Sequence, residues 1–145
     1  MQMILFKNSI IQLDYSPAAD ILDVGYPDLH GFLIPEIKHS IDILVDNVRN
    51  YDVKRVLLDS TRTLILVSEA ESREVATYLA AGLMKTRVQK VARLQSSSAA
   101  VETTAQGNIQ HIRETQALPF LLQNFTVREE AVAWLTSYDV EHVPL

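Results

Sequence analysis

The 145-residue chain contains no cysteine. That excludes a disulfide scaffold and any zinc site built on thiolates. Aromatic residues make up only 7% and do not interleave with basic ones, so no surface for stacking nucleobases is indicated. Positive charge is in deficit. Thirteen Lys and Arg stand against 18 Asp and Glu, a formal net charge of −5, which argues against a nucleic-acid partner. Every apolar run falls far short of the roughly 20 residues that cross a bilayer, so no transmembrane segment is expected. Met1-Gln2-Met3-Ile4 lacks the charged region that opens a secretion signal, and the expected location is cytoplasmic. Signature loops are missing too: no Gly-x-Ser-x-Gly elbow, no Walker loop, no dinucleotide fingerprint and no His-Glu-x-x-His. His30, His39, His111 and His142 stand at no metal-ligand spacing. Neither a metal nor another cofactor is therefore expected.

What is present is a hydrophobic fraction of 48%, too high for a disordered chain. A chain of this length suits a single domain, residues 1–145, burying roughly 70% of its unfolded surface. Met3 to Lys7 reads as a short apolar strand. Ile10 to Tyr15 follows, with Ile11, Leu13 and Tyr15 on one face. Ser16-Pro17-Ala18-Ala19-Asp20 is a turn, since Pro presets φ and Asp can close a side-chain bond. Ile21 to Tyr26 completes an antiparallel meander. Pro27 and Gly31 mark a loop, and Pro35 suits a first helical turn. Ile37, Ile41, Leu44, Val45 and Val48 then form a helical stripe, with Lys38, Asp42, Asp46 and Arg49 opposite.

The rest alternates strand and helix. Val53 to Asp59 contains Val56-Leu57-Leu58, as in a strand buried on both faces. Ser68-x-x-Glu71 is a capping box opening a helix with Val75, Ala76, Leu79, Ala80 and Leu83 inward. Val88 to Leu94 is the next strand. Ser96-Ser97-Ser98 supplies an N-cap for a helix with Val101, Ala105, Ile109 and Ile112 at successive turns. Gly107 within it costs about 1 kcal/mol relative to Ala. Pro119 precedes a strand from Phe120 to Asn124. Thr126-x-x-Glu129 reads as a second capping box, opening a helix with Val127, Ala131, Trp134 and Leu135 inward and Trp134 largely buried. Ser137 to Leu145 loses periodicity and is expected to fray. The order is β-β-β-α-β-α-β-α-β-α. It predicts an α/β fold with a mixed sheet, an antiparallel meander followed by parallel strands, and four main helices.

Three stretches are candidates for function. Asp59-Ser60-Thr61-Arg62 lies where a parallel strand ends, the side on which open α/β sheets bind ligands; it also reads as an ordinary polar turn. Ser96, Ser97 and Ser98 open a helix, where amides and dipole can hold an anion, or where the serines simply cap. Leu64, Ile65, Leu66 and Val67, preceded by Thr63, put four apolar residues where a polar loop is ordinary. They read as a turn tucked into the core, a homodimer patch, or the mouth of an apolar pocket. Lys85, Arg87, Lys90 and Arg93 form a local basic cluster, read as solubilising charge around a sheet edge.

The strand–helix order, the buried strand ending in Asp59-Ser60, and the final helix Phe125-x3-Glu129-Glu130-Ala131-Val132-Ala133-Trp134-Leu135 resemble small bacterial STAS-like domains. These belong to the anti-anti-sigma-factor fold group, and the likeness is greatest to a branch grouped with CRAL-TRIO lipid-binding domains. It spans roughly residues 10 to 136. The resemblance implies a mixed sheet flanked by helices and no enzymatic activity. In anti-anti-sigma factors a Ser after Asp at this place is phosphorylated, which would make Ser60 a regulatory site. The family's motif continues into Gly, where this chain has Thr61-Arg62-Thr63. The expected function is a non-enzymatic regulatory or protein-interaction module, self-associating as a homodimer. The alternative is a carrier or sensor of a small apolar, lipid-like ligand. An enzyme with dispersed catalytic residues ranks third.

Overall fold

The computed structural model describes residues 2–25, 29–30, 34–63 and 65–137, with backbone only for 29, 30, 65 and 66. The described elements are β1 (Met3–Lys7), β2 (Gln12–Ser16), β3 (Ile21–Gly25), β4 (Leu29–His30), α1 (Ile34–Asn50), β5 (Arg55–Asp59), β6 (Ile65–Leu66), α2 (Glu69–Met84), β7 (Lys90–Leu94), α3 (Ala99–Thr115), β8 (Leu121–Phe125) and α4 (Arg128–Thr136). The six-stranded sheet runs β1-β2-β3-β5-β7-β8. The first two pairings are antiparallel and the next three parallel, so the chain is an α/β domain with the expected mixed sheet.

Alternation along the strands divides the sheet into two faces. Leu13, Leu22, Val24, Val56, Leu58 and Val91 point one way and form the main core with α1 and α2. Ile21, Leu57, Ala92 and Leu94 point the other way and meet Ala131 and Leu135 of α4. β5 and β7, lying inside the sheet, are covered on both sides, hence their unbroken apolar runs. All five stripe residues of α1 are buried. Gly82 lets α2 approach α1 closely: a Cβ there would lie 2.7 Å from Val45 Cγ2.

Several expectations need correction. β2 starts at Gln12 rather than Ile10, because Asn8 holds residues 8–11 as a turn: its side-chain oxygen accepts from the Ile10 and Ile11 amides. Asp20 takes a left-handed φ of 53° at the β2–β3 turn, and its carboxylate accepts from Tyr15 Oη and from the Lys54 amide. Burial, then the bond to Asp20, push the Tyr15 phenol up to about 12. The Ser68–Glu71 capping box is present with both reciprocal bonds. The one expected at Thr126–Glu129 is not: Val127 is the N-cap, without a side-chain bond. β8 pairs with β7 as far as Phe125, and two ion pairs fix Arg128, so α4 starts one residue late for Thr126 to cap it. Val127 is consequently 43% exposed. Trp134 is half-buried on the flank of α4, its ring 5.6 Å from that of Phe125.

Of the basic cluster, Lys85 and Arg87 are exposed, but Lys90 and Arg93 are not solubilising charge at an edge. β7 lies between β5 and β8, and Lys90 and Arg93 are only 5% and 8% exposed. Being three apart, they face opposite sides: Lys90 reaches α4 and Arg93 reaches α3. The stretch after β5 holds a short strand not foreseen, β6, whose backbone pairs in parallel with β4. Leu64 and the side chains of Ile65 and Leu66 lie outside the described residues. Val67 is partly buried against the main core. The expected end of the third strand at Tyr26, Pro27, Gly31, the His30 side chain, His142 and the tail from 138 also lie outside them. Among the described residues no helix is long and apolar enough to cross a membrane, and no three His, Asp or Glu are placed to hold a metal.

Candidate functional site

The parallel strands end on one edge of the domain, and there Asp59 closes β5. Its Oδ1 accepts from the Thr61 amide at 3.0 Å and from Thr61 Oγ1 at 2.5 Å, an Asx turn. Its Oδ2 accepts from Arg128 Nη2 at 2.8 Å, while Arg128 Nη1 donates to Asp23 Oδ2 at 2.6 Å. Asp23 and Asp59 share a guanidinium because β3 and β5 are parallel neighbours and both side chains point to the α4 face. Their environments push them apart. Burial alone would raise both carboxyls. In Asp59 the Thr61 and Arg128 bonds win, holding it below the usual carboxylate value. In Asp23 burial outweighs Arg128, and the carboxyl sits above its usual value. Burial also disfavours the Arg128 charge, but the two carboxylates hold it more firmly. Thr61 and Arg62 are exposed.

Ser60, one residue on, continues the alternation of Val56 and Leu58 and so turns to the other face. It is 2% exposed, and its amide donates to Leu94 O at 3.1 Å. It lines a partly open cavity of about 100 Å³ between β5, β7, β8, α2 and α3. Most of the lining is apolar: Leu58, Val91, Leu79, Ala80, Val101, Ile109 and Phe120 among others. Polar lining comes from Ser60, Thr63, Ser72, Arg93 and Asn108. Asn108 Nδ2 donates to Ser72 Oγ at 3.0 Å, and Arg73 Nε to Asn108 Oδ1 at 3.4 Å. Among the described residues no buried side-chain nitrogen or oxygen lacks a hydrogen-bond partner.

The serine run at α3 behaves as caps. Ser98 Oγ accepts from the Val101 amide, and Ser96 Oγ accepts from the Ser98 amide; Ser97 is exposed. The anion that this terminus attracts is the chain's own Glu102. Its Oε2 accepts from the Ser96 amide at 2.9 Å, and its two oxygens accept from Arg93 Nη1 and Nη2 at 2.8 and 2.7 Å. Burial would raise this carboxyl, but Arg93 and the Ser96 amide hold it below its usual value. At the far end of α4, Lys90 Nζ donates to Trp134 O at 2.8 Å and to Ser137 O at 3.2 Å. It stands 5.0 Å from the Trp134 ring centre.

The structure thus separates Asp59 from Ser60 by sheet face and places the three serines of α3 in a capping turn. Arg128, Asp23, Glu102, Ser72 and Asn108 escaped the reading of the sequence, and Arg93 entered it only as solubilising charge. For Asn108 and Ser72 a signal existed: both are polar residues on the inward stripe of their helices, adjoining Ile109 and Val75. Comparison with models of protein families, with curated proteins and with solved structures finds no match to the chain.

Proposed function

We propose that this protein is a non-enzymatic binding module that responds to a small, mainly apolar ligand held between α2, α3 and the sheet. The observation that carries this reading is the cavity of about 100 Å³, lined mostly by apolar side chains of α2, α3 and the sheet. An engineered apolar cavity of about 150 Å³ takes up benzene, so one of this order admits a compact guest. It is well below the roughly 300 Å³ from which ordinary ligand pockets start, so a lipid-sized cargo does not suit it. The ionisable groups nearby support binding over catalysis. Arg93 is neutralised by Glu102, and Arg128 by Asp23 and Asp59. Each is occupied in holding a helix to the sheet. The resemblance to STAS-like domains agrees with a regulatory output. Titration with benzene, read by amide resonances, tests the proposal. Saturable shifts at Leu79, Val91 and Ile109 are expected, and none up to the solubility of benzene would refute it.

A second reading, a self-associating interaction module, draws on a different feature. β1 is an edge strand whose Met3 and Ile4 are exposed. Such an edge can add a strand from a second copy. Sedimentation of the wild type and of Ile4→Lys tests it: a dimer lost in the variant supports the reading, and a wild-type monomer at high micromolar concentration refutes it.

A further inference from the structure

The polar part of the cavity wall narrows the class of guest. Resting on the binding function proposed above, we propose that the ligand is a neutral hydrocarbon, about the size of one six-membered ring, with no hydrogen-bonding group of its own.

Size comes from volume. About 100 Å³ is the scale of one ring or a short branched chain, and the lining is apolar through most of its extent. The exclusion of polar guests comes from how the wall's own polar groups are paired. Ser72 Oγ accepts from Asn108 Nδ2 at 3.0 Å, and Asn108 Oδ1 accepts from Arg73 Nε at 3.4 Å. These bonds tie α2 to α3 along the wall. Arg93 donates to the two oxygens of Glu102 at 2.8 and 2.7 Å. No buried side-chain nitrogen or oxygen among the described residues is left without a partner. A guest hydroxyl would therefore exchange water for a wall whose polar groups are already paired, and its desolvation would go uncompensated. A carboxylate or an amine would lose more, because Arg93 and Glu102 already neutralise each other. A hydrocarbon has no such loss and keeps the whole gain of leaving water.

The test compares benzene, phenol and benzoate on wild type, Ser72→Ala and Ala76→Leu, by amide-resonance titration. Benzene should bind wild type at least about fivefold more tightly than phenol, the low end of what burying an unpaired hydroxyl costs. Benzoate should not bind. Ser72→Ala takes the acceptor from Asn108 Nδ2, which can then donate to the phenol oxygen, so the gap should narrow to about twofold or less. Ala76→Leu, which fills the cavity, should abolish all binding. If the gap on wild type falls short of about fivefold, or benzoate binds, the assignment to a hydrocarbon is overturned while the binding function stands. A gap that persists in folded Ser72→Ala overturns it too, because the pairing of the wall would not be its cause. If neither benzene nor phenol binds wild type, or either binds Ala76→Leu as before, both fail and the cavity is a packing void.

Discussion

Removing either half of the Arg93–Glu102 pair tests how α3 is held to the sheet. The two side chains are only 10% and 17% exposed, so the pair lies outside the surface regime, where ion pairs contribute about 0–1 kcal/mol. Glu102→Leu leaves the guanidinium buried, with Asn124 Oδ1 at 3.4 Å as its nearest substitute. Stranding a buried charge costs about 3–5 kcal/mol. Arg93→Leu is milder. Glu102 keeps the Ser96 amide at 2.9 Å and the favourable end of the α3 dipole, so about 2–3 kcal/mol is expected. The double variant places two apolar side chains together in a largely apolar wall and should lose less than the sum by at least about 2 kcal/mol.

Urea unfolding followed by circular dichroism measures all four proteins, and equal slopes would show that the unfolded states are comparable. The acid limb gives a second reading of the same pair. Glu102 titrates below its unfolded value in the folded state. Its contribution is therefore present above the unfolded carboxyl value, near 4.3, and is lost as pH falls through the lower folded value. Arg93→Leu should flatten that acid limb. Strict additivity in the cycle, with an acid limb unchanged in Arg93→Leu, would refute the view that this bond holds α3 in place.

Asp59→Asn should destabilise at neutral pH by about 1–2 kcal/mol, since Asp59 gains from ionisation in the fold, whereas Asp23→Asn should cost less than half as much. The sign follows from opposite shifts: stability from Asp59 vanishes as pH falls through its lowered value, while Asp23, raised by burial, resists ionisation in the fold. Equal losses in thermal melts at pH 7 would contradict this. Gly82→Ala should lose about 1–3 kcal/mol, because its Cβ would press on Val45 Cγ2 at 2.7 Å. Gly107→Ala, with only Arg73 Nη2 at 3.8 Å, should gain about 0.5–1 kcal/mol in the same melts. Lys90→Met keeps the bulk but strips the donor from Trp134 O and Ser137 O. A loss of about 2–3 kcal/mol is expected, with earlier amide exchange in α4.

Periodicity made the fold legible wherever packing is apolar. The α1 stripe, the capping box at Ser68 and the double-sided strands β5 and β7 are local patterns, and the burial of their side chains follows from them. What stayed hidden involves partners far apart in the chain. Arg128 and Asp23 are 105 residues apart, Lys90 and Trp134 are 44 apart, and no local pattern couples them. Lys90 and Arg93 looked like surface charge because nothing short-range reveals that β7 is flanked by two strands. Asp59–Ser60 looked like one site. Strand alternation sends the two side chains to opposite faces, one to an ion-pair clasp on α4 and the other to the cavity.

The cavity itself is written in small residues. α2 presents Ala76 and Ala80, and α3 presents Ala105, to the space between these helices and the sheet. Larger side chains there would meet and close it. Ala76→Leu adds three carbons, worth about 2.4 kcal/mol if all are buried without strain, at roughly 0.8 kcal/mol per CH₂. Imperfect fit takes back part of that. A net gain of about 1–2 kcal/mol is expected, a rise of about 2–8 °C in the melting midpoint for a chain of this size. The same variant should lose the ability to take up benzene. Together these two outcomes would mean that stability has been forgone to keep the space open, as happens at functional sites. A loss of stability above about 1 kcal/mol would mean that the helices are already in contact and that the space is too shallow to hold a guest.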